Sequence, residues 1–570
     1  MQIHRFLSRY LVPFCTFGAA MVFGGCASSP TPAPAPTLSA VTELSIFSIN
    51  DFHGHIQPKS PTPLMPRLPD PKTGEIKPQA AGGAAYLATV LNGLRAQRPN
   101  SVFVAAGDLM GASPQLSSLL ADEPTLSALS AMGLDASSLG NHDLDAGLTE
   151  LLRKTRGECG ATGCLWPEFK GAAFPYLAVN MLDAETGKTI LPTHKIVTVG
   201  GLKIALVGAV TRDTPKVIVA KAIRGLKFVD EADSMNALIP QLRAEGAQLL
   251  VAIMHEGAVT EGPANDPSYA CEGLRGRGID VAQRLDPAYG IIISGHTHNA
   301  YTCKINGRLL VQAGSFGGWI TESRLSVNAA GQVLDAQAIN YPVLQATNVP
   351  NPAFVALVQR AAMLTDTVRN RPINTLTSGA VRNPVAPYGD STLGNLITDA
   401  QLAYAKRRGV ADVAMINSGG IRADLTVETG KPVTLSDLFA IQPFSNELIV
   451  MTLTGAQLRD VVLRQLPKTS APRRFAQVSN NFRFVWSQAA DGTPKLESLT
   501  LDGQPLVDTK DYRVVVNNFM AEGGDDLSVF RQGRDKVNLG VDLDALVEWV
   551  AENPKAVEQI QPGRIVRKDK

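Results

Sequence analysis

Net charge is almost absent from this sequence: 53 lysines and arginines face 52 aspartates and glutamates over 570 residues, a formal balance of +1. No basic stripe runs along any segment, so a surface that binds nucleic acid as a polymer is not expected. Internal repeats are missing, as is low-complexity sequence beyond the N-terminus. What remains is ordinary globular material, 45% hydrophobic and 18% charged, and long enough for several domains. The apolar stretch from Tyr10 to Phe23 is too short and too early for a membrane span. Cysteine is scarce, at six residues, and its spacing lacks the close pairs of a thiolate zinc site.

The N-terminus reads as a targeting segment. Arg5 and Arg9 precede the apolar stretch, and Gly24-Gly25 lead to Cys26, a pattern that resembles a bacterial lipoprotein signal. The expected leader is residues 1–25, with Cys26 carrying the lipid that holds the protein to a membrane. Residues 26–40 form a Pro/Ala-rich, extended tether. The expected location is the periplasm or cell surface, anchored to the outer membrane; the alternative is an ordinary secreted protein. In such an oxidising compartment, Cys159, Cys164, Cys271 and Cys303 make an even set, with Cys159–Cys164 and Cys271–Cys303 as the expected pairs.

Five segments run from apolar or small residues straight into metal-ligand side chains. They are Ile46 to Asp51 with His53, Val102 to Asp108, Ser138 to His142, Leu249 to His255, and Ile291 to His298. An apolar run of this length reads as a buried parallel strand, and open α/β sheets collect functional groups beyond the carboxyl ends of such strands. Asp51, His53, Asp108, Asn141, His255, His296 and His298 offer imidazole nitrogen and carboxylate or amide oxygen, a donor set for zinc, manganese or a similar divalent ion. Seven side chains exceed the needs of one ion. With Asp108 bridging, each of two ions receives four protein ligands and keeps open positions for water and substrate. Taken singly, each segment is equally a turn or a structural histidine; five together are not. His55 falls outside the pattern as a second-shell candidate, and His194 as a structural residue.

The order Asn50-Asp51-Phe52-His53-Gly54, Gly107-Asp108, Gly140-Asn141-His142-Asp143, His255, Gly295-His296-Thr297-His298 resembles the calcineurin-like metallophosphoesterases and, more narrowly, the bacterial 5′-nucleotidase family. The resemblance implies an α/β protein: a metallophosphoesterase β-sandwich flanked by helices at 41–341, a linker with a helix at 342–373, and an α/β 5′-nucleotidase C-terminal domain at 374–570. It implies one ion held by Asp51, His53, Asp108 and His298, and another by Asp108, Asn141, His255 and His296. It also implies that His142 contacts the phosphoryl group while Asp145 orients its imidazole, in a hydrolysis by metal-activated hydroxide. The charge logic is sound, because a protonated imidazole stabilises charge developing on phosphoryl oxygens. Asp143 and Asp145 in the first turn of a helix is the competing structural reading.

Within the linker, Asn351 can cap a helix that continues to Asn370, with Pro352 at its first position and Phe354, Val355, Leu357, Val358, Ala361, Leu364 and Val368 at helical spacing. Beyond it, the stretch from Gly389 to Ile397 and the run Asn417-Ser418-Gly419-Gly420-Ile421-Arg422 resemble the family's phosphate-side motifs. Arg422 is the first candidate phosphate clamp and Arg382 the second. Gln442-Pro443-Phe444-Ser445-Asn446 and Asn518 to Asp525 resemble its nucleoside site: Phe444 and Phe519 stacking the base, Asn446 beside them, and Asp525 on the ribose. A stacked clamp tolerates any base. The expected partner is therefore a nucleotide substrate, the reaction a phosphoric monoester hydrolysis. A nucleotide-sugar or 2′,3′-cyclic-nucleotide phosphohydrolase, and a surface lipoprotein that only binds, are the alternatives.

Overall fold

The computed structural model describes residues 41–58, 65–69, 74–160, 163–376, 381, 389–409, 411–426, 428, 430–467, 475–489 and 491–568. The leader, the Cys26 anchor, the tether and Arg382 lie outside the described residues. Among the described residues, no helix is long and apolar enough to cross a membrane.

Strand Thr42–Ile49 shows why Leu44, Ile46, Phe47 and Ile49 are apolar. Leu44 and Ile46 point into one core with Val102, Val104 and Ala106, while Phe47 and Ile49 point into another with Phe103 and Ala105. Alternate side chains fall on opposite faces and both faces are covered, so even the polar residues Ser45 and Ser48 are buried, Ser45 Oγ donating to Glu322 Oε1 at 2.9 Å. This strand pairs in parallel with Ser101–Ala106, which pairs in parallel with Ala136–Ser138. Together with Trp319–Val327, Val333–Pro342 and Tyr176–Leu177 they form a six-stranded sheet. A second six-stranded sheet contains Leu202–Val210, Leu249–His255, Tyr289–Ile293 and Arg308–Ala313 in parallel, with Ala300–Ile305 and His194–Val199 antiparallel at the edges.

The two sheets pack face to face through a shared core of Leu44, Ile46, Val104, Leu206, Val251, Ile253 and Ile291. On the outer face of the first sheet lie helices Ala84–Ala96, Glu123–Ala131 and Pro352–Arg369; Glu231–Ala244 and Arg277–Arg284 cover the second. The result is a β-sandwich flanked by helices.

Helix Pro352–Arg369 starts as its sequence dictates, with the Asn351 side chain accepting from the Ala353 N–H at 3.0 Å and proline in the first turn. Its apolar stripe is only half used. Phe354 and Ala361 are buried against the first sheet's helices, whereas Leu364 and Val368 are 50% and 46% exposed. Both expected disulfides are formed. Cys159 and Cys164 have Cα atoms 4.4 Å apart, and Cys271 and Cys303 5.7 Å apart, within the span a disulfide bridges.

The C-terminal region is built on a five-stranded sheet, in the order Gln477–Val478, Val413–Ile416, Asp511–Asn517, Glu447–Thr454, Arg534–Val541, with helix Thr392–Arg408 packed beside it. Here one expectation fails. The stretch from Gly389 to Ile397 was expected on the phosphate side, yet its acid is used inside the fold. Asp390, 4% exposed, accepts from Asn395 Nδ2 at 2.6 Å, Arg564 N at 3.1 Å and Ile565 N at 3.2 Å, and from Gly563 N at 2.9 Å. Ser391 caps the helix through the Gly394 N–H. The motif anchors the chain's last strand, because a buried carboxylate is the one side chain that can satisfy several convergent N–H donors. Asp390→Ala is expected to destabilise the protein by roughly 2 to 4 kcal/mol. Phosphatase activity at low temperature should survive; denaturant melts read alongside p-nitrophenyl phosphate turnover check this.

Candidate active site

The five strand ends meet at one edge of the sandwich. Asp51 N–H donates to Gly107 O at 3.0 Å and His53 N–H to Asp108 O at 2.9 Å, so the first two loops run side by side. The second sheet joins through His255, whose Nδ1 lies 2.7 Å from Ala106 O. The contact between loops is close enough to require glycine: a Cβ on Gly140 would stand 2.1 Å from Asp108 N, and one on Gly107 would stand 2.7 Å from His255 Nδ1. Asp51, His53, Asp108, His296 and His298 all have positive φ, between 47° and 72°. For side chains of this kind the left-handed conformation is strained, and it persists here because the neighbouring loops hold it.

Two ligand clusters result. In one, the donor atoms of Asp51, His53 and His298 lie within 4.8 Å of one another; in the other, those of Asp108, His255 and His296 do. Asp108 connects them. Its Oδ2 is 3.0 Å from His255 Nε2 and 3.6 Å from His53 Nε2. Asn141 Oδ1 is 3.0 Å from His255 Nε2, which adds it to the second cluster. All seven sequence-derived ligand candidates are brought together. Fit to metal ions is also visible in an oxygen left over: Asp51 Oδ1 is buried without a hydrogen-bond partner. The donors are nitrogen and oxygen only, and His53 and His255 each point their other ring nitrogen at a backbone carbonyl, which fixes the ring as metal-ligating histidines require.

Crowding shifts the titrations. Burial holds the His53 imidazole well below its usual value, and burial with the neighbouring His255 lowers His296. His255 goes the other way: against the pull of burial, the Asp108 carboxylate raises it to about 10. Asp108 itself, although burial opposes it, is held well below the carboxylate range by His255 and His142.

Beside the clusters, His142 donates its N–H to Asp108 Oδ1 at 2.8 Å, and its Nδ1 lies 3.0 Å from Asp145 Oδ1. Burial opposes protonation, but the charges of Asp145 and Asp108 prevail and raise the imidazole above its ordinary value. Asp143 has a role that the sequence reading missed. It caps no helix. Its carboxylate accepts from Asp108 N at 3.1 Å, Met110 N at 3.0 Å and Gly140 N at 2.8 Å, stitching the two glycine-containing loops together. Burial and the Asp108 charge push it up to about 7. The only hint in the sequence is an acid within a ligand motif. Phe316 was also missed; its ring lies 5.9 Å from His53 and 5.3 Å from His298, and His55 packs on it at 4.1 Å. His55 therefore sits behind that ring, and His194 lies away from the site against Glu245 at 2.9 Å.

Residues of the C-terminal region complete a cavity of 210 Å³. Arg422, Phe444, Asn446, Phe519 and Asp525 line it opposite Asp108, Asn141, His142, Asp145, His296 and His298, with Val217 to Val219 closing one side. Phe444 stacks on His142 with ring centroids 5.5 Å apart, and the Arg422 guanidinium carbon is 5.6 Å from the Phe444 centroid. Phe519 rests part of its ring on the C-terminal core and lies against Gly524. Asp525 accepts from Asn417 Nδ2 at 2.8 Å, and its N–H donates to Lys216 O at 3.2 Å across the cleft.

A sandwich whose strand-end loops present two nitrogen and oxygen clusters joined by one carboxylate defines a metal-dependent phosphoesterase. The comparisons narrow the class. Residues 44–300 match the calcineurin-like phosphoesterase family model, and residues 372–532 match the 5′-nucleotidase C-terminal domain. The chain belongs to the 5′-nucleotidase family that joins these two domains. It is 28% identical over 528 residues to the endonuclease YhcR of Bacillus subtilis, covering 92% of this chain but only 41% of that protein's length. It is 26% identical to a 5′-nucleotidase of Vibrio vulnificus, across 95% of this chain and 96% of that one. The fold is that of the crystal structure of a 5′-nucleotidase precursor from Thermus thermophilus, with a TM-score of 0.74, 22% identity, and coverage of 93% of this chain and all of the other.

Asp108→Ala is expected to abolish hydrolysis and remove most bound metal, because both clusters lose their shared carboxylate. His142→Ala should lose rate while retaining metal. Elemental analysis of the two purified variants separates the roles; equal metal loss in both would make His142 a ligand.

Proposed function

We propose that the chain is an exported 5′-nucleotidase that hydrolyses phosphate monoesters of nucleotides. The observation that carries this reading is the single cavity in which the metal-ligand clusters face Phe444, Phe519, Asn446 and Asp525. One ion is assigned to Asp51, His53, Asp108 and His298, the other to Asp108, Asn141, His255 and His296. When bound, zinc or manganese there supplies Lewis-acid charge and lowers the pKa of water. The rest of the chemistry falls to the chain. Arg422 neutralises phosphoryl oxygens with its planar fork. His142, kept cationic by Asp145, donates to the same group as its charge grows. Phe444 and Phe519 stack the base, and Asp525 accepts from ribose hydroxyls.

Phe444 already covers His142 in this arrangement, so a bound nucleotide displaces that contact. Binding on this reading includes a shift of the C-terminal domain relative to the metal loops. The leader with Cys26 and the two disulfides support a site of action outside the cytoplasm, with the lipid on Cys26 as the anchor.

Phe519→Ala tests the substrate class. Stacking contributes roughly 1 to 3 kcal/mol per base, so AMP hydrolysis at low substrate is expected to fall by about one to two powers of ten. Turnover of p-nitrophenyl phosphate, which has no base, should change little. Parallel losses on both substrates would reduce Phe519 to a packing residue. For the anchor, Cys26→Ser is expected to move the enzyme from the membrane pellet to the soluble fraction; unchanged fractionation would sink the lipoprotein reading.

A further inference from the structure

One side of the cavity is built by the metal-binding half of the chain. The segment from Thr211 to Ile223 leaves its sheet beside His255, whose carbonyl accepts the Thr211 N–H at 3.0 Å. Thr214 Oγ1 donates back to Thr211 O at 2.7 Å, at the start of the one-turn helix Thr214–Val217. Ile218 is then extended, at φ −123° and ψ 146°, and its side chain joins the core that holds Phe103 and Ala105. Its neighbours Val217 and Val219 are half-buried and line the cavity with Phe444 and Phe519. Each marks a different end. Val217 also borders a hollow shared with Asn417 and Asp525, the ribose side, whereas Val219 borders a groove shared with Phe444 and Asn446, the base side. Val219 therefore stands between a cavity of 210 Å³ and an open groove of 940 Å³.

This wall is fastened at both ends to the loop that presents Phe519 and Asp525. Asp525 N–H donates to Lys216 O at 3.2 Å, and a Glu522 carboxylate oxygen accepts the Ala220 N–H at 2.8 Å. Glu522 is exposed and borders the groove rather than the cavity. Its backbone is held locally, with its N–H on Asn518 O at 3.0 Å and Arg531 Nε on its carbonyl at 2.7 Å. The side chain is thus a charge-assisted tether from a fixed base to a segment 302 positions away in the sequence.

We propose that Val219 is a wall of the base site and that Glu522 is its positioning residue: by holding Ala220, it keeps Val219 over the base end of the cavity. This rests on the nucleotidase reading and deepens it, because the base is then enclosed by both domains. On this reading the two bonds open with the cleft and re-form over a bound nucleotide. Phe444 and Phe519 offer flat faces, and Val219 removes apolar surface at the base end from water only while the segment is held.

Kinetics of the full-length, metal-loaded enzyme with AMP and with ribose 5-phosphate, which has the same leaving oxygen and no base, test this. Glu522→Ala is expected to raise KM for AMP about three- to tenfold, the effect of one hydrogen bond, with kcat within about twofold of wild type. Its kcat/KM for ribose 5-phosphate should stay within about twofold of wild type. Glu522→Gln keeps an oxygen that accepts from Ala220, and its KM for AMP should return to within about twofold. Val219→Ala should raise KM for AMP by a similar factor, and the double variant should lose little beyond Glu522→Ala, since both changes remove one contact. An unchanged KM for AMP in Glu522→Ala overturns the proposal, as do fully additive losses in the double variant. Equal losses on ribose 5-phosphate overturn it too, because the bond would then serve closure of the cleft in general. All three leave the nucleotidase reading intact. Cleavage of ribose 5-phosphate by wild type with no cleavage of any nucleotide overturns both.

Discussion

The Asp108 carboxylate is the point through which the rest of this structure works. One oxygen stands between His255 and His53, and the other accepts the backbone N–H of His142, so both metal-ligand clusters and the phosphoryl-side imidazole take their positions from it. Such a group cannot be placed by its own loop alone. Asp143 holds the Asp108 backbone, and glycines on either side allow the approach. Burial makes the arrangement both costly and effective: a carboxylate removed from water needs cations near it, and the cluster of imidazoles, or the ions they bind, provides them.

The second domain contributes what the sandwich lacks. Strand-end loops rich in carboxylate and imidazole suit ions, and their one aromatic ring at the clusters, Phe316, packs against His53, His55 and His298. The C-terminal sheet brings Arg422, Phe444 and Phe519 to the same cavity from loops beyond its own strands. The contact of Phe444 with His142 shows how closely the two halves are matched. A substrate that enters between them has to break protein contacts as it makes its own, which couples recognition at the base to geometry at the phosphate.

Much of this was legible before any coordinates. Two-sided burial favours apolar runs, unbroken in Leu249 to Met254 and interrupted only by the buried Ser48 in Ile46 to Ile49, and the ligand side chains follow closely. The Asn351-Pro352 start of the linker helix and the even set of cysteines are local signals of the same kind, and both were read correctly. Arg382 lies outside the described residues. The acids were the hard cases. Asp143 and Asp390 look like ordinary turn or helix-start residues in the sequence, but each is buried and accepts from donors in other segments, Asp390 from an N–H group 175 positions away.

The sequence by itself therefore determined the inventory: which strands are buried on both faces, which donor atoms follow them, which cysteines pair, and which aromatic and arginine residues stand near glycine turns. Those properties are local, set by periodicity and by the chemistry of single side chains. Only the tertiary structure decided which acid joins the two ligand clusters, which stitches their loops together and which anchors a strand. The reason is that a carboxylate's role depends on the donors that surround it, and in this fold those donors come from segments far apart along the chain.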